Sequence, residues 1–255
     1  MSLYVNDVWL QTLEQVVTHG RLTKPRGIPC YELNKTTVTL MNYPCVTIKD
    51  RKLNYKFMAA EAHWILSGSN QTKDIVPFNK NIAKYSDDGI TYFGAYGPKF
   101  IEQVGYVVDC LTKDPESRQA VINIWREKPR ATKDVPCTLN VQFMIRDNKL
   151  ECHVNMRSSD LWLGWPYDVF NFSCMAEYVI HYLRDVNYAC PADELGALYL
   201  HANSMHLYES DLEKAKALLA GDRLRRIEPT LNTQSRRHLM SELEVWSNNG
   251  NLKGF

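Results

Sequence analysis

The run TLNVQFMIRDNKLECHVNMRS, residues 138–158, limits the possible folds more than any other stretch. Apolar and polar residues alternate on both sides of Asp147-Asn148, a pair that tolerates the backbone of a tight hairpin turn. Strands joined so closely must lie antiparallel, because a parallel partner needs a long crossover. Around this hairpin, strand-like and helix-like runs mix without strict βαβ alternation, which favours an α+β class over a doubly wound sheet.

The other elements follow from periodicity. Residues 1–20 read as a helix, followed by the basic, Gly- and Pro-containing loop HGRLTKPRGIP. YELNKTTVTLM alternates like a strand, and NYKFMAAEAHWILSG has helical spacing that stops at Gly68. KFIEQVGYVVDCLTKDP sets Ile101, Val104, Val108 and Leu111 on one helix face and ends at Pro115. AVINIW and GALYLHANSMHLY read as strands, and FNFSCMAEYVIHYLRD as a buried helix. SDLEKAKALLAG reads as a helix capped by Ser210, with Glu213 three residues on and Gly221 at its end. Beyond residue 222 the chain is polar and basic, and periodicity places nothing. There is no internal repeat or linker, so residues 1–255 are expected to form one catalytic-size domain.

Composition removes several function classes. The net charge is +1, so no bulk basic field points to DNA. The apolar runs are short and interrupted, and no membrane span is expected. MSLYVNDVWLQTLEQ carries acids and no basic leader, so it does not read as a secretory signal. Seven cysteines lie far apart with no Cys-x-x-Cys, which reads as reduced thiols in a cytoplasmic compartment and no metal site.

Several residues could carry chemistry, and each also has a plainer reading. Cys137, after Pro136, is a small buried hydrophobe or a nucleophile whose thiol needs nearby cations. Arg118, Arg126, Arg130, Lys133 and Arg157 flank it in sequence. Glu61 is an exposed helix acid or a buried carboxyl tuned to move protons. Arg26 and Arg118 are surface arginines unless something gathers them. Arg157 beside Ser158 joins a guanidinium fork to a hydroxyl, a pair suited to phosphate. His206 and Tyr208 share one strand face, as a core pair or as donors to a sugar hydroxyl.

In combination, PC at 136–137, RSSDLWLGWPYD at 157–168 and HLY at 206–208 resemble the thymidylate synthase family. So do EAHWILSG at 61–68, AYG at 95–97 and DPESR at 114–118. The resemblance implies an α+β fold whose large mixed sheet forms a homodimer face. It implies that Cys137 adds to C6 of a pyrimidine nucleotide, with 5,10-methylenetetrahydrofolate as co-substrate and no metal. Arg26, Arg157 and Ser158 would hold the phosphate, with Arg118 supplied from the partner subunit. His206 and Tyr208 would hold the ribose 3′-hydroxyl. Glu61 would organise water and move protons, and Tyr96 matches an active-site tyrosine. Trp64, Asp160 and Gly164 fall on the folate side.

Asp168 departs from this pattern, because thymidylate synthases carry asparagine there. An ionised carboxylate only accepts hydrogen bonds. It meets uracil O4 acceptor to acceptor but can accept from the 4-amino group of cytosine. With Met156 in NMRS and the Ser-x-His-x-Tyr run, the chain resembles the cytidylate hydroxymethylases of the family. The expectation is folate-dependent 5-hydroxymethylation of a cytidine monophosphate, dCMP ahead of CMP. The alternatives are a dihydrofolate-forming cytidylate methyltransferase, a CMP hydroxymethylase of the nucleoside-antibiotic type, and a thymidylate synthase acting on dUMP. Gln119 replaces a second family arginine, and NLKGF lacks the usual closing tail.

Overall fold

The computed structural model describes residues 4–41, 51–186, 190–221 and 233–249. The NLKGF ending lies outside them, as do the first three residues of the expected N-terminal helix.

A mixed sheet forms the centre. Its strands are β1 (Arg21–Thr23), β2 (Cys30–Leu40), β3 (Val121–Asn123), β4 (Thr138–Arg146), β5 (Lys149–Met156), β6 (Ser159–Asp160) and β7 (Glu194–Tyr208). The order is β1-β2-β7-β5-β4-β3, with β6 beside β7. Among the described residues, only the β5–β7 and β6–β7 pairs are parallel. Around it lie the helices α1 (Val5–His19), α2 (Tyr55–Leu66), α3 (Thr72–Ile75), α4 (Tyr96–Lys113), α5 (Trp165–Val186), α6 (Glu209–Ala220) and α7 (Arg236–Asn249). The fold is α+β, as the hairpin and the mixed order predict.

Asp147 and Asn148 have φ of 50° and 59°, the doubly left-handed turn that matches strand twist. The register Val141↔Val154, Phe143↔Cys152 and Ile145↔Leu150 sets one row of apolar side chains into the core. The intervening row faces the other way, where His153 stacks on Tyr199 at 4.5 Å and His201 meets Thr37 at 2.8 Å. One face of the sheet is therefore core and the other polar.

Three local expectations need correction. Ile101 is 40% exposed, because the buried stripe of α4 runs through Phe100, Val104, Val107, Val108 and Leu111. Ser210 does not cap α6, since β7 runs straight through Tyr208 into the helix and Pro29 O takes the Glu209 N–H at 3.0 Å. The helix expected from Phe170 begins five residues earlier, at Trp165. Pro166 then sits in the first turn, where its missing N–H breaks no helical bond. This start places Asp168 on the helix rather than ahead of it.

The polar C-terminal region contains α7, which buries Leu239, Leu243 and Trp246. Its approach is tethered through Thr233, whose hydroxyl donates to Glu177 Oε2 at 3.0 Å and bonds His181 Nε2 at 2.8 Å. His181 is 1% exposed, and its Nε2 also stands 3.1 Å from Glu177 Oε2.

Candidate active site

The hairpin creates the site. An uninterrupted ladder would put Thr138 opposite Arg157, but a bulge between Thr138 and Asn140 shifts the pairing to Thr138↔Met156. Cys137 then faces Arg157, whose backbone N–H donates to Cys137 O at 2.8 Å. The Arg157 guanidinium also donates to Pro136 O at 2.9 Å, Val135 O at 3.0 Å and Ser158 Oγ at 3.1 Å. Arg157 Nη2 and Ser158 Oγ each lie 3.7 Å from the Cys137 sulfur.

The other groups arrive from five further elements and the turn that holds Arg26. Gly97 lets the start of α4 approach the end of α2, since a Cβ there would stand 2.8 Å from Ser69 O. This seats Tyr96, whose hydroxyl accepts from Thr138 Oγ1 at 2.9 Å. β6 pairs Asp160 with His206 on β7, and the His206 and Tyr208 rings meet edge to face at 5.2 Å. Arg26, in a left-handed turn with φ of 55°, hydrogen-bonds Tyr208. On α2, Glu61 faces Asp168 of α5 across the pocket, and Trp64 one turn on packs edgewise on Tyr92 at 5.7 Å. Gly164 lies against Asp168 Oδ2, where a Cβ would stand 3.4 Å away. Cys137, Glu61, Tyr96, Arg157, Ser158, Asp160 and Asp168 all keep partial exposure, so they line a cleft rather than a sealed core.

The electrostatics are dominated by burial. Desolvation pushes the Glu61 carboxyl up to about 7, against the pull of the hydrogen bond from Asn171. Burial raises Asp168 well above the usual carboxylate range, and the charges of Glu61 and Asp160 add to it. The start of α5 favours an anion by about 0.3–1 kcal/mol, too little to reverse this. Asp160 is raised by burial against bonds from the Leu163 and Trp162 N–H groups and the influence of His206. Tyr96 is held as a neutral phenol by burial, Asp168 and Cys137.

The Cys137 thiol is pushed up rather than down. Burial is the main cause, Arg157 and Ser158 oppose it, and Asp168 and Asp160 reinforce it. The expectation that flanking arginines favour the thiolate holds only for Arg157. Arg126 and Arg130 instead stack on Phe93 at 4.4 and 4.3 Å. Arg118 lies apart, in a surface cavity of about 1010 Å³ shared with Gln119 and Arg146. A second cavity, of about 800 Å³ around Lys99, Arg126 and Asn140, is also separate from the cysteine.

The family model described as thymidylate synthase matches residues 7–248. The chain belongs to the thymidylate synthase family. It is 28% identical over 227 residues to a deoxyuridylate hydroxymethyltransferase of Bacillus phage SP01, covering 80% of this chain and 57% of that protein. It is 28% identical over 221 residues to the enzyme of the same description from Pseudomonas phage M6, covering 82% and 61%. A thymidylate synthase of Francisella philomiragia is 26% identical over 207 residues, covering 71% of each chain. The chain spans about three fifths of the length of the two phage relatives.

Three residues of this thymidylate synthase-family cleft went unread in the sequence. Asn171 donates from Nδ2 to Glu61 Oε2 at 2.8 Å. Tyr167 accepts from the Asn54 N–H at 3.1 Å and lies within the field of Glu61. Arg51 donates to Trp162 O and stacks 4.5 Å over its ring, beside Asp160. For Asn171 the available signal was its place one helical turn after Asp168. Arg51 carried none.

Among the described residues, no cluster of three or more His, Cys, Asp or Glu could hold a metal, and no helix is long and apolar enough to cross a membrane.

Proposed function

We propose that this chain, as a single catalytic domain, is a folate-dependent hydroxymethyltransferase acting at C5 of a pyrimidine nucleoside monophosphate, with cytidylate favoured and dCMP ahead of CMP. The observation that carries the reading is the convergence of Cys137, Arg157, Glu61 and Asp168 on one cleft.

Pyrimidine C5 is a poor nucleophile until a thiolate adds at C6. Cys137 is the attacking group. Arg157, Ser158 and Arg26 hold the phosphate, and Arg118 is contributed by the partner of a homodimer. The polar sheet face supports that dimer. A second copy of Arg118 beside the cleft also supplies cationic field that the lone chain lacks at its thiol. His206 and Tyr208 take the ribose hydroxyl.

The folate supplies the one-carbon unit. Trp64, Gly164 and Asp160 form its side of the cleft. The fit rests on Asp160, whose Oδ1 is occupied by the Trp162 and Leu163 N–H groups at 2.9 Å each. Its Oδ2 remains for a donor on the ligand. Glu61, poised near neutrality, accepts a proton from water, and Tyr96 stays a neutral donor. No hydride moves, so dihydrofolate is not formed. The cytoplasm is the proposed location.

Asp168 carries the base preference, with a refinement from its raised pKa. A neutral carboxyl both donates and accepts. Toward cytosine it donates to N3 and accepts from the 4-amino group. Toward uracil it donates to O4 and accepts from N3–H. Only the ionised form rejects uracil. A second reading, deoxyuridylate as substrate, is therefore admitted by neutral Asp168 and favoured by the names of the two phage relatives.

Mass spectrometry of products from dCMP, CMP and dUMP with methylenetetrahydrofolate tests base, sugar and transferred group together. A hydroxymethyl product from dCMP is expected. Steady dihydrofolate formation sinks the hydroxymethylation reading, and a strong dUMP preference at every pH sinks the role given to Asp168. Tritium release from C5 should vanish in Cys137→Ala.

A further inference from the structure

Asn171 lies on α5, one turn after Asp168, and is only 3% exposed. Its Nδ2 donates to Glu61 Oε2 at 2.8 Å, while its Oδ1 is buried and accepts nothing from the described residues. Buried amide oxygens rarely go unpaired, and such an orphan calls for an explanation such as a water. We propose that Asn171 is a positioning residue that holds the attacking water against Glu61, its Oδ1 accepting one water hydrogen while its Nδ2 fixes the carboxylate that receives the other. This rests on the hydroxymethylation reading.

The geometry suits the task. Glu61 and Asn171 sit on facing helices, and both project beside Asp168, the group assigned to the base ring. A water bound to Asn171 Oδ1 and Glu61 is thereby kept next to the ring without any contact to the sugar or phosphate. Orientation of this kind raises the effective concentration of one nucleophile over its competitors.

The step balances without a redox partner. After the folate departs, the nucleotide carries a methylene doubly bonded to C5 and the Cys137 sulfur on C6. The water oxygen forms a bond to the methylene carbon, and its proton passes to Glu61. The π electrons move into the ring, re-form the C5–C6 double bond and expel Cys137 as thiolate.

The groups facing Glu61 limit what its proton equilibrium can report. Asp168 and Tyr167 approach from α5, and His63, two residues on along α2, points away toward Glu244 of α7 and Asp74. Asn171 is the member of this set that donates a hydrogen bond to the Glu61 carboxyl. The amide pulls the Glu61 carboxyl down toward neutrality. Its loss should therefore move the pH at which turnover half-rises upward.

The test compares wild type with Asn171→Leu, which removes donor and acceptor, and Asn171→Ser, a smaller change that keeps a hydroxyl. Each is assayed with the preferred nucleotide, methylenetetrahydrofolate and 2-mercaptoethanol, a thiol that competes with water for the methylene. Tritium release from C5 reports the steps through one-carbon capture. Mass spectrometry reports the ratio of hydroxymethyl product to thioether.

In Asn171→Leu that ratio should fall about tenfold, the effect of losing one hydrogen bond, with tritium release retained and the pH profile shifted up. Asn171→Ser should recover part of the ratio. An unchanged ratio in Asn171→Leu, or no recovery in Asn171→Ser, with wild type making hydroxymethyl product, overturns this role alone. A wild type that yields only a methyl product and dihydrofolate overturns the hydroxymethylation reading, and this role with it.

Discussion

The Arg157 guanidinium and the Cys137 sulfur stand 3.7 Å apart because one bulge shifts the β4–β5 register by a residue. The arginine is shared between the thiol and two backbone carbonyls, Pro136 O and Val135 O. Replacing it leaves those carbonyls short of a donor and removes the strongest force favouring the thiolate. Arg157→Ala should cost about 1–3 kcal/mol of stability. Alkylation of Cys137 by iodoacetamide, followed on its own peptide by mass spectrometry, should slow roughly tenfold at pH 8. An unchanged rate would mean that burial alone governs this thiol.

On the role proposed for it, Glu61 links turnover to stability in opposite directions. Its folded pKa, about 7, lies above the ordinary 4.5, so the folded state holds the proton more tightly. That preference is fully present below pH 4.5 and is lost as pH rises through about 7. The ionised form, the one the proposed role uses, therefore costs the fold up to about 3 kcal/mol. Glu61→Gln should raise the melting temperature at pH 8 and leave it nearly unchanged at pH 4.5. The same variant should lose the rise of kcat/KM through neutrality expected of wild type. A melting-temperature difference that does not vary with pH would place the strain elsewhere.

In the role proposed for it against the base, Asp168 predicts a pH-dependent choice of base. Burial and the Glu61 and Asp160 charges keep it neutral well above the usual carboxylate range. As pH rises and the carboxyl ionises, uracil loses its donor while cytosine keeps its acceptor. The ratio of kcat/KM for dCMP over dUMP should therefore climb with pH. In Asp168→Asn the ratio should be flat and shifted toward dUMP by on the order of tenfold or more, the effect of one mispaired buried contact at about 1–3 kcal/mol. A wild-type ratio independent of pH would show that Asp168 titrates outside the measured window or does not touch the base.

The Thr233 tether gives a purely structural prediction. Thr233→Val removes a donor to Glu177 and an acceptor for His181, both buried under the approach to α7. The expected loss is about 1–3 kcal/mol. Hydrogen exchange of the α7 amides should quicken more than that of the sheet. Equal acceleration in both would mean that the tether serves the whole fold.

Much of this was legible from local pattern. The hairpin, its turn and the buried rows of β4 and β5 follow from alternation and from Asp147-Asn148 alone. Most of the cleft was read too, because Cys137, Arg157 and Asp168 lie in one distinctive order along the chain. The bulge was not legible, since nothing in Thr138–Asn140 marks an extra residue. The start of α5 was missed because Gly-Trp-Pro looks like a turn when its helix-compatible proline is not weighed. The supposed cap at Ser210 had the right residues but lost to a strand that runs on to Tyr208. α7 was hidden by polar composition, with only three large side chains facing inward. Asn171 and Arg51 act on residues 110 and 111 positions away, a distance at which neither has a local signature.

Asp168 and Asn171 occupy successive turns of one stiff helix and address the same carboxyl. On the assignments proposed above, a lineage can exchange the residue at 168 and inherit a new nucleobase while the amide at 171, and with it the fate of the methylene, passes on unaltered. The helix thus keeps the vocabulary of the substrate and the grammar of the product as separately heritable traits. Its rigidity keeps them in step, because any rotation of α5 displaces both at once.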